Sequence, residues 1–568
     1  MLFTEITEQA GLGGFQHTHG GFGEKWFPEI MGSGGGLIDY NDDGWLDVLL
    51  VRGGSLPGQP EADVPALALY RNNGLSGSGP SDDAPQPFPT FTDITSEAGL
   101  GEVRAYGFGV AAADYDNDGD EDVLLTTLGK NLLFRNDGGV FQEVGEAAGI
   151  ADAARWSTSA LFFDANRDGH LDLYVANYVD WTPETDVPCA FEGIRDYCSP
   201  WTYSGVANTF YHGNGDGTFT NRTEEAGFLS GTDAASSKSL GVGELDFNQD
   251  GWPDVYVAND GERNALFANN GDPGSSPPDR GPGQARQATT FSEIALRSGV
   301  ALDQNGTPRA GMGVDAGVVD SSGETTILVG NYTNETVSVW RHEGAGFFAD
   351  RVAASGVGAS TSQTLTFGLA LLDVDLDTDL DLLLANGHVL EQVEKMGEGL
   401  FREPAQLFLN RGDGTFDAAS PQGPLAKPML ARGLAAGDID HDGDLDVLLT
   451  ENNGPVHLWC NDLKDGHFLR VRLQGTESNR DGLGARVRAT ASGLVMERRV
   501  RTGGSYLSQS EKTVTFGLGS SRDVALEVAW PSGRTEQFER VAPDQEVVLV
   551  EGSGQLAPSS PSQPLARR

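Results

Sequence analysis

A nine-residue acidic phrase recurs six times in this 568-residue chain, and that recurrence restricts the fold to a repeat architecture. The copies are DYNDDGWLD from Asp39, DYDNDGDED from Asp114 and DANRDGHLD from Asp164. They continue as DFNQDGWPD from Asp246, DVDLDTDLD from Asp373 and DIDHDGDLD from Asp438. An apolar run such as VLLV, VLLTT, LYVAN or LLLAN follows each. Oxygen side chains at alternate positions of a tight loop suit a hard cation that takes about six to eight oxygen ligands, which points to Ca²⁺.

Each loop opens a larger unit. A strand rich in Gly and Ala precedes it (GFGVAAADYD, FGLALLDVD). A hairpin follows the apolar run: LYRNNG at Leu69, LLFRNDGGVF at Leu132, TFYHGNGDGTF at Thr209, ALFANNG at Ala265 and LFLNRGDGTF at Leu407. Asn-Gly and Asp-Gly pairs between apolar residues mark tight turns, because both central residues need positive φ. A further short strand such as FTDIT or FTNRT completes a four-stranded antiparallel blade. A seventh unit, GMGVDAGVVDSSGETTILVGN, places Val318, Asp320, Ser322, Gly323 and Thr326 at loop positions one, three, five, six and nine. It keeps the strands and loses three of the four ligands, so it is expected to form a blade without Ca²⁺. The last unit lacks its final strand, and the chain begins with FTEITEQAGL, which supplies it. Residues 3–7 are expected to close a seven-bladed, all-β propeller and to leave no open edge.

Within the loops, positions one, three, five and nine supply side-chain oxygens, and the position-seven carbonyl adds another. The expected ligands are Asp39, Asn41, Asp43 and Asp47; Asp114, Asp116, Asp118 and Asp122; and Asp164, Asn166, Asp168 and Asp172. The other three sets are Asp246, Asn248, Asp250 and Asp254; Asp373, Asp375, Asp377 and Asp381; and Asp438, Asp440, Asp442 and Asp446. The carbonyls belong to Trp45, Asp120, His170, Trp252, Asp379 and Asp444. Gly at position six permits the sharp turn, and Thr378 in its place predicts a strained loop. Mg²⁺ suits such a cage poorly, since it keeps its waters. The expected role of about six Ca²⁺ is structural.

The formal charge of −45 leaves no basic stripe for phosphates and excludes nucleic acid as a partner. Twenty-one of the 83 acidic residues stand at the recurrent loop positions, where like charges oppose compaction unless cations neutralise them. Six Ca²⁺ would bring the net charge to −33. No apolar run is long enough to span a membrane. The N-terminus lacks the basic and apolar regions of a signal peptide, so either the protein is cytosolic or a leader preceded Met1. Cys189 and Cys198 lie nine apart in a Pro- and aromatic-rich insertion, which spacing alone reads equally as a disulfide or as two thiols.

From about residue 463 the repeat gives way to HFLRVRLQG, ARVRATASG, LVMERRVR, VTFGL, VALEVAW and EVVLV, which read as a small antiparallel sandwich-like domain over 463–553. The propeller is assigned to 1–462. Residues 554–568 are Pro/Ser-rich and expected to be a disordered tail. The stretches 75–88 and 271–288 read as long surface loops.

The Asp loops with their LF-N-GDGTF hairpins resemble the FG-GAP/VCBS repeats of integrin-α-like propellers. NRDGLGARVRA, RTGGSYLSQSEKTVTFGLG and VAWPSGRTEQF resemble the ASPIC/UnbV domain in order. Together with FPEIMGSGGGLIDYNDDG, the NGH at Asn386–His388 and the insertion ending YCSPW, they resemble the cartilage acidic protein-like family over nearly the whole chain. That resemblance implies an extracellular or periplasmic location and favours a Cys189–Cys198 bridge.

Three functions fit these features. The first is a calcium-binding scaffold of binding or adhesion type, with a protein or glycan ligand. The second is a hydrolase or lyase with its site in the central funnel, using His17, His19 and His388. No nucleophile elbow, HExxH, Walker loop or dinucleotide fingerprint is present. The third is carbohydrate binding on Trp181 and Trp201. Arg411-Gly412-Asp413 spells a cell-attachment tripeptide, but it falls on the hairpin turn that all units share.

Overall fold

The computed structural model describes residues 3–60, 63–75, 88–231, 233–271, 289–461, 463 and 466–558. Most of the two stretches read as long surface loops, 76–87 and 272–288, lies outside them, as does the tail from 559.

Seven four-stranded antiparallel units follow one another along the chain. Their first strands are Gly35–Ile38, Gly107–Ala113, Arg155–Phe163, Ser239–Leu245, Val314–Val318, Thr366–Leu372 and Ala431–Gly437. These first strands touch in sequence order, and Ala431–Gly437 returns to Gly35–Ile38, so the circuit closes. Units two and three also share a short pairing, Arg155 with Gly129 and Trp156 with Leu128. In the six acidic units the second strand begins on the position-nine aspartate: Asp47, Asp122, Asp172, Asp254, Asp381 and Asp446. The loop and the apolar run after it are therefore one continuous device. The second strands are buried on both faces, which explains their unbroken apolar runs.

The chain's beginning completes its end. Phe3–Glu5 pairs antiparallel with Val456–Asn461, in register Phe3 with Asn461 and Glu5 with Trp459. His457 is clamped on both sides, Nδ1 3.3 Å from Glu5 and Nε2 2.9 Å from Glu451. Burial alone would lower its pKa, but the two carboxylates push it up to about 9. A charged staple thus supports the three-residue strand that joins the termini of the circuit.

The C-terminal region forms two four-stranded sheets. One orders Val514–Gly519, His467–Gln474, Gln545–Val550 and Leu556–Pro558; the other orders Leu494–Arg499, Arg486–Ala491, Val524–Ala529 and Thr535–Val541. The expectation of a wholly antiparallel domain is corrected at one pair: His467–Gln474 runs parallel to Gln545–Val550. A parallel neighbour needs a long crossover, and everything between these two strands, which open and nearly close the domain, provides it. Thr535–Val541 was not anticipated. Leu556–Pro558 pairs with Gln545–Val550 inside the stretch expected to be disordered; the Pro/Ser average of the tail hid three residues able to add to an open edge.

Between Leu494–Arg499 and Val514–Gly519 the chain leaves its own domain and enters the circuit of first strands. The Val110 and Leu37 amides donate to the Leu507 and Gln509 carbonyls at 3.1 and 3.0 Å, and Val314 donates to Ser505 at 3.0 Å. Thr502 Oγ1 accepts from Phe162, Gly504 donates to Val242, Glu511 donates to Ala436, and the Tyr506 ring packs on Phe367. All seven units touch this one segment. Small residues in and beside the first strands follow from it: a Cβ at Gly34, just before Gly35–Ile38, would meet the Leu507 carbonyl oxygen at 2.0 Å, and one at Gly433 would meet Ser508 Oγ at 2.4 Å.

Candidate metal-binding loops

One hydrogen-bond scheme shapes all six acidic loops. The position-one aspartate accepts from the amide at position six in every copy, as Asp39 does from Gly44 and Asp438 from Gly443 at 3.0 Å. In all but the last it also accepts from position five. The position-five carboxylate accepts from the amide at seven. Position nine accepts from position two through one oxygen and from a hairpin residue through the other.

Position four adopts positive φ in every copy, at Asp42, Asn117, Arg167, Gln249, Leu376 and His441. Position six does so at Gly44, Gly119, Gly169, Gly251 and Gly443, and at Thr378 with φ 100°. A β-branched residue there is strained, as the missing glycine predicts.

In three of the six loops these turns bring positions one, three and nine together, and among the described residues the position-five carboxylate joins none of these groups. One oxygen from each of Asp114, Asp116 and Asp122 lies within 4.8 Å of the others, and the same holds for Asp373, Asp375 and Asp381 and for Asp438, Asp440 and Asp446. In the three copies with asparagine at position three, Asn41, Asn166 and Asn248 hydrogen-bond Asp43, Asp168 and Asp250 at 2.8–2.9 Å. Buried oxygens of Asp116, Asp375, Asp438 and Asp444 have no hydrogen-bond partner. An uncompensated buried oxygen is costly unless a cation or proton meets it.

The protons respond accordingly. Burial first, then neighbouring carboxylates, push Asp39, Asp114 and Asp373 up to about 7. Burial lifts Asp47 and Asp122 to about 9 and Asp381 to about 8. The donor set therefore fits a divalent ion with oxygen ligands: the loops are preshaped, and their charge awaits neutralisation.

Further cations reach these loops from the C-terminal sheets. Arg470 lies 3.2 Å from Asp438, Arg499 3.4 Å from Asp246, and Arg472 and Arg480 3.8 Å from Asp39 and Asp114. Alternate arginines in HFLRVRLQ, Arg470 and Arg472, were the signal for part of this; in so acidic a chain, a basic sheet face points to an acidic surface of the same molecule.

The hairpin asparagine was also missed as more than a turn residue. Asn72, Asn136, Asn269, Asn410 and Asn461 are buried, and each donates its side-chain amide to the position-two carbonyl of the preceding unit: Ile439, Tyr40, Ala165, Val319 and Val374. Position-four side chains reach the other way. Asn117 donates to the Gly169 carbonyl, and the His441 ring meets Trp45 at 4.3 Å across the closure.

In the fifth unit an arginine stands where the ion is expected elsewhere. Arg341, paired in register with Thr326, places its guanidinium 3.0 Å from Asp320. The remaining candidates resolve differently. His17 and His388 are buried and His19 is half-buried. Each accepts a backbone amide at Nδ1, from Asn453, Leu390 and Gly21 respectively, so the neutral ring keeps its proton on Nε2. Burial lowers His17 to about 3 and His388 to about 4. Trp181 is not the exposed platform expected: it packs against Trp26 and Trp156, with Nε1 donating to Asp186. Trp201 is 72 % exposed. Cys189 and Cys198 form a disulfide, and Cys460 is a buried thiol.

Comparison with known proteins agrees with the repeat and the C-terminal motifs. The FG-GAP-like repeat matches residues 39–125, 114–175 and 399–449, and the ASPIC and UnbV domain matches 475–556. The chain is similar to cartilage acidic protein 1 of Xenopus tropicalis, 24 % identical over 547 residues, covering 92 % of this chain and 73 % of that protein. It is 23 % identical to the human protein of that name, over 77 % of this chain and 61 % of the human one. Among solved structures, an Agrocybe aegerita lectin that recognises non-reducing terminal N-acetylglucosamine matches with a TM-score of 0.37 at 15 % identity. It covers 68 % of this chain and 80 % of its own, a likeness too loose to carry an argument.

Proposed function

We propose that this chain, which carries FG-GAP-like repeats and an ASPIC and UnbV domain and is similar along most of its length to cartilage acidic protein 1, is a calcium-loaded seven-bladed propeller that acts outside the cytoplasm as an interaction scaffold. The observation that carries the calcium reading is the convergence of preshaped, partly unpartnered carboxylate oxygens in the acidic loops. Positions one, three, five and nine and the position-seven carbonyl would hold each ion, which would supply the positive charge that the loop lacks. The protein's own groups do the rest: backbone amides fix the carboxylates, and the hairpin asparagines tie each loop to its neighbour. The closed circuit of first strands, together with Phe3–Glu5 as the last strand of unit seven, supports the seven-bladed ring.

An extracytoplasmic location is favoured by the Cys189–Cys198 disulfide, and among the described residues no helix is long and apolar enough to cross a membrane. The partner surface we favour is the face opposite the acidic loops. The C-terminal sheets cover the loop side, whereas the segment before the first strand of unit one and the insertions after the second strands of units three and six lie on the other. A protein ligand is the first reading and a glycan on exposed Trp201 the second. A funnel enzyme is disfavoured because residues 500–513 occupy the centre and the three histidines are committed to backbone amides.

The test is calcium content together with melting. Metal analysis of desalted protein should return about six Ca²⁺ per chain. Chelation should lower the thermal midpoint by about 10 °C or more, since each site at hundredfold excess contributes about 2.7 kcal/mol. Absence of calcium with an unchanged midpoint would sink the proposal; a glycan array separates the two ligand classes.

A further inference from the structure

Beside the central segment lies a cavity of about 180 Å³, walled by units four to seven on one side and by the C-terminal sheet on the other. Among its lining residues, the buried polar side-chain atoms left without a hydrogen bond are Arg498 Nη2, Arg499 Nε, Ser505 Oγ and Thr515 Oγ1. Every one is able to donate, and none is a carboxylate oxygen. Arg499 spends its other nitrogens on Glu244 and Asp246. Arg498 has no such outlet. Its Nη1 donates to the Glu497 carbonyl at 3.0 Å and its guanidinium lies over the Phe516 ring, 5.4 Å from the centroid. Among the described residues no carboxylate comes within 4.0 Å of it. Asp373 and Asp379 face it from farther away. Ca²⁺ in the Asp373 loop would draw on Asp373 and weaken that attraction, while Nη2 stays a buried donor without a partner.

We propose that this cavity is a binding site for a small inorganic anion of the halide class, held chiefly by Arg498 with the Ser505 and Thr515 hydroxyls as further donors. The inference rests on the calcium reading, because an ion beside Asp373 would weaken that carboxylate's hold on Arg498. The anion completes the contact between the C-terminal domain and the ring: it neutralises an arginine of that interface that, among the described residues, has no carboxylate within 4.0 Å.

Crystals of the full chain grown with Ca²⁺ and bromide in place of chloride test this by anomalous scattering. A bromide peak in contact with Arg498, alongside calcium peaks in the loops, is the expected result. Calcium peaks with only water in the cavity, or bromide only on the outer surface, would overturn the anion site and leave the calcium reading intact. Neither ion in place would overturn both. In solution, replacing gluconate by chloride at fixed ionic strength and saturating Ca²⁺ should raise the midpoint by about 2 °C. Arg498→Lys should keep part of that rise and Arg498→Met none; a wild-type midpoint indifferent to chloride counts against the site.

Discussion

Units five and seven share one backbone plan and neutralise it by different means. Unit seven gathers Asp438, Asp440, Asp442, Asp444 and Asp446, most of them buried, with unpartnered oxygens on Asp438 and Asp444. Unit five has one acidic residue at the equivalent ligand positions, Asp320, and Arg341 of the same sheet lies against it. Both form four strands in the same order relative to their neighbours. The strands therefore do not require the ion. What each loop requires is a compensating positive charge, which a tethered guanidinium supplies once and free cations are proposed to supply six times.

Several measurements would break or sharpen this contrast. The largest effect concerns pH in the metal-free protein. Position-one and position-nine carboxyls hold protons in the fold up to about 7–9, whereas the unfolded chain releases them near pH 4. Their stabilisation is complete below that lower value and is lost as pH rises through the higher ones. The metal-free midpoint should fall by about 5 °C or more between pH 6 and pH 9. With Ca²⁺ present, smaller losses should remain from His457, raised to about 9, and from buried Glu335, Glu403 and Glu511, raised to about 7, 8 and 7, and His457→Gln should remove only its own share. A metal-free midpoint that is flat or rising over this range would refute the shared-proton account of the loops.

An intermediate effect separates unit five. Arg341→Leu leaves buried Asp320 without its partner and should cost about 2 kcal/mol. The loss should be equal with calcium and with chelator, because no ion is involved. Denaturant titration in both conditions decides it, and a calcium-dependent loss would mean that unit five also holds a metal.

The smallest effect lies in unit six. Thr378→Gly relieves a β-branched residue at φ 100° and should gain about 1 kcal/mol. It should also raise calcium affinity at that loop, as isothermal titration can measure; a destabilised variant would show that Thr378 serves a purpose other than filling the turn.

Much of the fold was legible because it is local and repeated. The acidic phrase, the apolar run and the Asn-Gly hairpin lie within a few dozen residues of one another, so their spacing exposed seven units and the borrowed first strand. The recurrence of the acidic loop positions was legible for the same reason. The hairpin asparagines were visible but misread, since Asn72 donates to Ile439, which is 367 residues away. Trp181 failed as a platform because an insertion that looks exposed in one dimension folds back on Trp26 and Trp156.

The sequence by itself determined the units, their number, the loops and the charge problem those loops create, because periodicity and ligand chemistry act over short stretches of chain. Tertiary structure alone decided how the C-terminal domain meets the ring. Its strands carry arginines to carboxylates hundreds of residues away, and the segment from 500 to 513 fills the centre against glycines whose reason lies in another domain. Contacts of that kind depend on the shape of two assembled surfaces, which no local pattern records.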